Sequence, residues 1–270
     1  MGVAEGIVTA RGMSEAWLRT LLEVDKATGR KMFHVVTKIE CPLPEAPPIR
    51  AAADRLLRSV NHASVETVAN TIFPAQMADT SADYKALSAR YTKTYDTIRR
   101  VHKDNRRGTY FGRLVSHPSP RGQHDQLSAL IEKLSAEHSN LAPKSARYEV
   151  NIAEPAERIP ADQQVAYRPD ESVGMNVYAA GVDNSIMGFP CLSFCSFQLE
   201  KERLHLVAHY RAQRLVQRGY GNYLGLARLQ AYVAGQVGIQ AGQLTIVVGR
   251  ADADAPQYRI RSSLADVAAE

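Results

Sequence analysis

The sequence predicts an α+β fold built as a single domain over residues 1–270. Helical periods, hairpins and β-rich runs follow one another in mixed order along the chain. No shift in composition marks a boundary, and no internal repeat is visible. The 270 residues, 45% hydrophobic and 23% charged, suit one large globular domain or two small ones.

Met1 to Arg11 is short and featureless. Ser14 to Leu22 has helical spacing, with Ser14 as N-cap. Lys31 to Cys41 is β-rich and runs into a proline-punctuated loop, after which Ile49 to Val60 reads as an amphipathic helix. Ser64 to Phe73 starts another helix, with Pro74 at its end, and Ala82 to Arg100 is helical and charged. Gly108 to Leu114 is a short aromatic segment between glycines. Asp125 to Glu137 is an amphipathic helix, with Leu127, Leu130, Ile131 and Leu134 on one face. Arg147 to Ile152 alternates as a strand, and Val173 to Tyr178 is a further β-run.

The stretch from Gly188 to Asn222 organises the rest. Cys191, Ser193, Cys195 and Phe197 alternate with Leu192, Phe194 and Ser196, a strand signal. A charged turn, Glu200 to Arg203, leads to a second alternation from Leu204 to Tyr210. Such a hairpin brings Arg211 close to Cys191, so that a thiol and a guanidinium share one site. Asn222 then opens a helix apolar nearly all round, stopped by Gly238, and Gln243 to Gly249 is the last strong strand.

Composition narrows the function. The 33 basic against 28 acidic residues give a net charge of +5, a mild excess that favours an anionic small molecule at least as much as nucleic acid. The densest basic cluster (Arg99, Arg100, Lys103, Arg106, Arg107) has no interleaved aromatics and reads as a solvated loop. Three cysteines without CxxC or His/Cys spacing argue for a reducing compartment and against a metal site. No apolar stretch approaches the ~20 residues of a membrane span, and the N-terminus lacks a secretory pattern. The expected location is cytoplasmic.

Pro190-Cys191, Arg211, Asn222 and Gly249 fall at ungapped intervals that resemble the thymidylate synthase family. There the corresponding residues are a Pro-Cys nucleophile, a phosphate-binding Arg, a pyrimidine-reading Asn and the Gly closing a strand. Leu244 and Thr245 continue the register, and upstream Asp125-Gln126, Arg147, Glu66 and Tyr110-Phe111-Gly112 are collinear with the family's pattern. The resemblance is strong from Gly188 to Gly249 and weak before Asp125.

It implies a thymidylate synthase-like fold, a mixed β-sheet with packed helices. It implies methyl or hydroxymethyl transfer to C5 of a pyrimidine nucleotide through a covalent cysteine adduct, with 5,10-methylenetetrahydrofolate as donor. Cys191 and Glu66 would be catalytic. Arg211, Arg147, Asn222 and Gln213 would bind the nucleotide, Arg147 being donated in trans within a homodimer. The residue types suit this: arginines lower a thiol's pKa and hold phosphate in bidentate fashion, and an Asn amide offers donor and acceptor together.

The departures are as specific. The family's Cys-His is Cys191-Leu192, its Arg-Ser-x-Asp is Arg211-Ala212-Gln213-Arg214, and one of its paired trans arginines is Ala146. Asp252 and Asp254 replace the His and Tyr that hold the sugar hydroxyl, and Phe111 takes the catalytic Tyr position if the glycines align. No counterpart of the N-terminal phosphate loop or the folate-closing tail is found. A second reading follows: a folate-independent nucleotide-binding homologue serving as a sensor or partner-binding module.

Simpler roles stand beside each assignment. Cys191 could be a small buried hydrophobe, and Cys195 reads as packing. Arg211 could form a surface salt bridge, Asn222 could cap its helix, and Glu66 could serve the helix dipole. Asp252 and Asp254 read as a solvated strand end or as ligands of a sugar or metal.

Overall fold

The computed structural model describes residues 6–101, 105–106, 108–119, 122–139, 174–176 and 190–268. The chain opens with β1 (Ile7–Gly12), α1 (Met13–Lys26) and β2 (Lys31–Cys41). Helices α2 (Pro47–Ser59), α3 (Val65–Ile72), α4 (Ala75–Asp79), α5 (Tyr84–Val101) and α6 (Tyr110–Val115) follow. A small two-stranded ribbon, β3 (His117–Ser119) and β4 (Gly122–His124), precedes α7 (Gln126–His138). The last part contains β5 (Gly174–Asn176), β6 (Leu192–Glu200), β7 (Arg203–Arg214), α8 (Tyr220–Val237), β8 (Gln240–Asp252) and α9 (Gln257–Leu264).

One six-stranded sheet orders these strands β1-β2-β8-β7-β6-β5. The pairs β1–β2 and β7–β8 are parallel; β2–β8, β6–β7 and β5–β6 are antiparallel. The architecture is therefore α+β with a mixed sheet and packed helices, as the sequence predicts. A continuous core joins α1, α8 and the inward-facing residues of β2, β7 and β8.

Several elements differ from expectation in instructive ways. The featureless start contains β1, whose Val8 and Ala10 are buried between exposed neighbours. Ser14 does not cap α1 but lies inside it, buried, sharing a 2.8 Å hydrogen bond with the Tyr220 hydroxyl and accepting from the Ala46 amide at 2.9 Å. Helix α8 begins at Tyr220, before Asn222, because β7 passes through a π-turn (Leu215–Gly219) that feeds directly into it. Gly238 ends α8 in the left-handed region at φ +85°, as its position predicts. The expected strand from Arg147 to Ile152 lies outside the described residues, and α9 is an additional element.

Two devices set the geometry near the end of β7. The first is the contact of α3 with α8: a Cβ on Gly221 would come within 2.5 Å of the Val68 Cβ, so only glycine permits this approach. The second is a phase shift in burial. Leu204, Leu206, Ala208 and Tyr210 of β7 are buried, as are Leu244, Ile246 and Val248 of β8. Beyond Arg211 and Gly249 the buried residues are Gln213 and Ala251, which are register partners. The backbones crowd at the shift: a Cβ on Gly249 would lie 2.7 Å from the Arg211 carbonyl oxygen. In β2, His34 takes φ +55° between residues paired with Val248 and Arg250. Three strands thus change course at one row, and a polar side chain, Gln213, turns into a buried position.

Candidate functional site

A cavity of about 520 Å³ opens where the end of β7, the start of α8 and the segment before β6 converge. Cys191 and Pro190 form one part of its wall, and Val68 and Thr71 of α3 another. Cys191 is exposed. A register shift between Leu192 and Phe194 breaks the simple alternation expected for β6. Leu192, Cys195 and Phe197 consequently face the core together, and Cys191 is turned outward. Burial pushes the Cys195 thiol up to about 12, so that sulfur stays protonated and packs as a hydrophobe.

The hairpin brings Arg211 to Cys191 as the sequence predicts. The Arg211 amide donates to the Cys191 carbonyl at 2.9 Å, and its guanidinium donates to the Pro190 carbonyl at 2.7 Å. Arg211 therefore straps down the backbone that carries the thiol. Arg211 itself is not among the lining residues; the arginines that line the cavity are Arg113, Arg214, Arg218 and Arg250. Sequence reasoning singled out only Arg214, as a departure, because residues from α6, the π-turn and β8 converge only in three dimensions. Asp252 is the acidic lining residue among those described, so the wall carries a clear positive excess.

Asn222 and Gln213 line the same cavity and are buried, and the Gln213 amide is turned into the protein, away from solvent. Both Nε2 and Oε1 of Gln213 lack a hydrogen-bond partner among the described residues. Such a group is costly to bury unless something completes it.

Tyr110 resolves an ambiguity that the glycine alignment left between two adjacent aromatics. Phe111 is fully buried, packing edge-on against Phe73 and Tyr91 with centroids 5.9 and 4.7 Å apart. Tyr110 lines the cavity, and its hydroxyl accepts from the Leu192 amide at 3.5 Å. Burial first, and then the neighbouring Cys191, push the Tyr110 phenol up to about 12, keeping it protonated at neutral pH.

Glu66 lies elsewhere. Its carboxylate accepts from Arg228 at 2.7 and 2.9 Å and from Arg50 at 3.2 Å, and it does not line the cavity. The Arg228 guanidinium, opposed by burial and joined by Arg50, holds the Glu66 carboxyl below its usual range. Nor are the two terminal acids a solvated strand end. Asp252 faces the cavity, one oxygen accepting from Arg250 Nε at 2.9 Å. Asp254 accepts from the amides of Val216 at 2.8 Å and Gln217 at 3.3 Å, closing the π-turn. Arg147 lies outside the described residues.

Among the described residues, no cluster of three or more His, Cys, Asp or Glu side chains could hold a metal ion. No helix among them is long and apolar enough to cross a membrane.

No family model matches the chain. A protein of Methanosarcina acetivorans named "Putative thymidylate synthase" is 32% identical over 66 residues. That match spans 24% of this chain and 30% of the relative's length. The chain is thus similar to that protein over about a quarter of its own residues.

Proposed function

We propose that this protein binds a pyrimidine nucleotide in the cavity and transfers a methyl or hydroxymethyl group to its C5 through a covalent Cys191 adduct. The observation that carries this reading is an exposed cysteine on the wall of a cationic cavity that Asn222 also lines. The partial likeness to the archaeal protein supports it at the level of a thymidylate synthase-like transferase.

In the proposed reaction the Cys191 thiolate forms a bond to C6. The C5–C6 π electrons move to C5 and the C4 carbonyl. C5 then attacks an activated one-carbon unit, for which a reduced folate such as 5,10-methylenetetrahydrofolate is the proposed donor. Loss of the C5 proton with departure of the folate nitrogen would leave an exocyclic methylene at C5; hydride from the tetrahydrofolate, which becomes dihydrofolate, or water would then add to that carbon and expel the Cys191 thiolate from C6, giving the methyl or the hydroxymethyl product. Asn222 would donate to a ring carbonyl and accept from a ring N–H. Gln213 would line the wall beside it. The phosphate would meet the cavity arginines and Arg211, with Arg147 contributed by a second copy in a homodimer. Tyr110, held protonated, would serve as the hydrogen-bond donor beside the sulfur. Glu66 keeps only an indirect role in this proposal: its ion pairs tie α2, α3 and α8 together behind the wall.

Intact-mass spectrometry with a 5-fluoropyrimidine nucleotide and 5,10-methylenetetrahydrofolate tests the chemistry. The expected result is a stable adduct on the native chain and none on Cys191→Ser. Nucleotide binding with no adduct on the native chain would defeat the transferase reading and leave a folate-independent sensor or partner-binding module.

A further inference from the structure

Much of the cavity's cationic wall is carried by a turn. Arg214 precedes the π-turn Leu215–Gly219, Gln217 and Arg218 lie within it, and all three line the cavity. Turns of this kind are uncommon, and the first amides of the helix they open have no partner inside it. Whatever fixes the turn fixes where those three side chains point.

Two side chains from distant parts of the chain hold it. Trp17 of α1 donates to the Leu215 carbonyl at 2.9 Å, and a Cβ on Gly219 would lie 3.0 Å from the same indole nitrogen. Asp254 accepts from the next two amides, Val216 at 2.8 Å and Gln217 at 3.3 Å, one on each carboxylate oxygen. Its own backbone is anchored. Ala253 and Ala255 on either side are buried, and the Ala253 amide donates to the Arg30 carbonyl at 3.1 Å. Gln217 passes the constraint on, because its Oε1 accepts from Arg214 Nη1 at 3.1 Å. Asp254 does not line the cavity; it lines an adjoining recess that shares Arg214, Arg250 and Asp252 with it. By charge alone a carboxylate in that place opposes the binding of an anion. The two amides it holds give it the opposite effect.

We infer that Asp254 is a positioning residue: by holding the π-turn it aims Arg214 and Arg218 at the anionic group of the ligand without touching that ligand. The inference rests on the nucleotide reading above, with the phosphate at the cavity arginines. Two consequences of removing the carboxylate then differ in sign. Loss of its charge strengthens phosphate binding, whereas release of the turn weakens it, because the donors are no longer held in place before the ligand arrives.

Calorimetric titration of the full chain with UMP, dUMP, CMP and dCMP identifies the best-bound nucleotide, which is then compared with its nucleoside in native protein, Asp254→Ala and Asp254→Asn. Asp254→Ala should weaken the nucleotide about tenfold, the worth of one hydrogen bond to a charged group, and leave the nucleoside within about twofold. Asp254→Asn keeps one acceptor oxygen for the turn and should recover part of that loss, although it lacks the charge as well. Unchanged or tighter nucleotide binding in Asp254→Ala, or an equal loss for nucleotide and nucleoside, overturns the inference and leaves nucleotide binding intact. If the native chain binds none of the four, the nucleotide reading fails and this inference with it. Where the nucleoside binds too weakly to titrate, the sign of the change for the nucleotide decides. Should Asp254→Ala not fold, Asp254→Asn is read by the same criteria.

Discussion

Two groups of polar side chains lie near the start of α8, and they are finished differently. Behind the helix, Ser14, Tyr220, Glu45, Arg50, Glu66 and Arg228 form a chain of hydrogen bonds of 2.7 to 3.2 Å in which each member has a partner. Trp17 closes its edge by donating to the Leu215 carbonyl at 2.9 Å. In front of the helix, Gln213 has none among the described residues. Folding completes the first group and leaves the Gln213 amide without a partner among the described residues. A buried amide left open beside so fully paired a group is a local cost to the fold.

Breaking the finished group should have the largest effect. Trp17→Phe keeps a ring in the core but orphans the Leu215 carbonyl, at an expected cost of about 1–3 kcal/mol in urea unfolding with the m-value unchanged. An intermediate effect is expected from Glu66→Gln. The folded-state pKa of Glu66 is depressed, so its contribution is present above the ordinary carboxylate range and is lost as pH falls through it. Because the carboxylate is about half exposed, solvent screening limits the loss to about 1 kcal/mol or less at pH 7. Melting curves of the two proteins should converge once the pH falls through the depressed folded-state pKa of Glu66, where both side chains are neutral. The smallest change, and of opposite sign, is expected for Gln213→Met without ligand. Replacing an unpaired amide by an apolar chain of similar length should leave stability unchanged or raise it by up to about 1 kcal/mol. A clear loss in thermal unfolding would show that Gln213 belongs with the finished group.

The sequence made the second half of the fold legible and much of the first half less so. The hairpin, α8 and β8 were readable because alternation and glycine stops are local signals. Strand β1 was not, since six residues flanked by glycines show only two buried positions. The site was legible where one chain segment dominates it: Cys191, Arg211, Gln213 and Asn222 all lie within 32 residues. Arg113, Arg218 and Arg250 carried no mark in the sequence, because only the packing of α6 and β8 against the hairpin makes them neighbours. Tyr110 and Phe111 show the limit clearly. Adjacent aromatics look interchangeable in sequence, yet one residue's step around the helix, about 100°, sends one to the cavity and the other to the core. The outward turn of Cys191 depends on a register shift that alternation alone misplaced by one residue.

The strand order carries a consequence for biogenesis. β8, the strand between β2 and β7, is the last of the sheet to be synthesised. Before Gln240 to Asp252 leaves the ribosome, β2 and β7 lack the strand that joins them, so each would leave an edge of unpaired backbone N–H and C=O groups. Closure then occurs in one late step that joins segments about two hundred residues apart, a slow and long-range event in which the nascent chain is most exposed to misassociation. Nascent chains arrested before Gln240 should therefore be the form that chaperones hold.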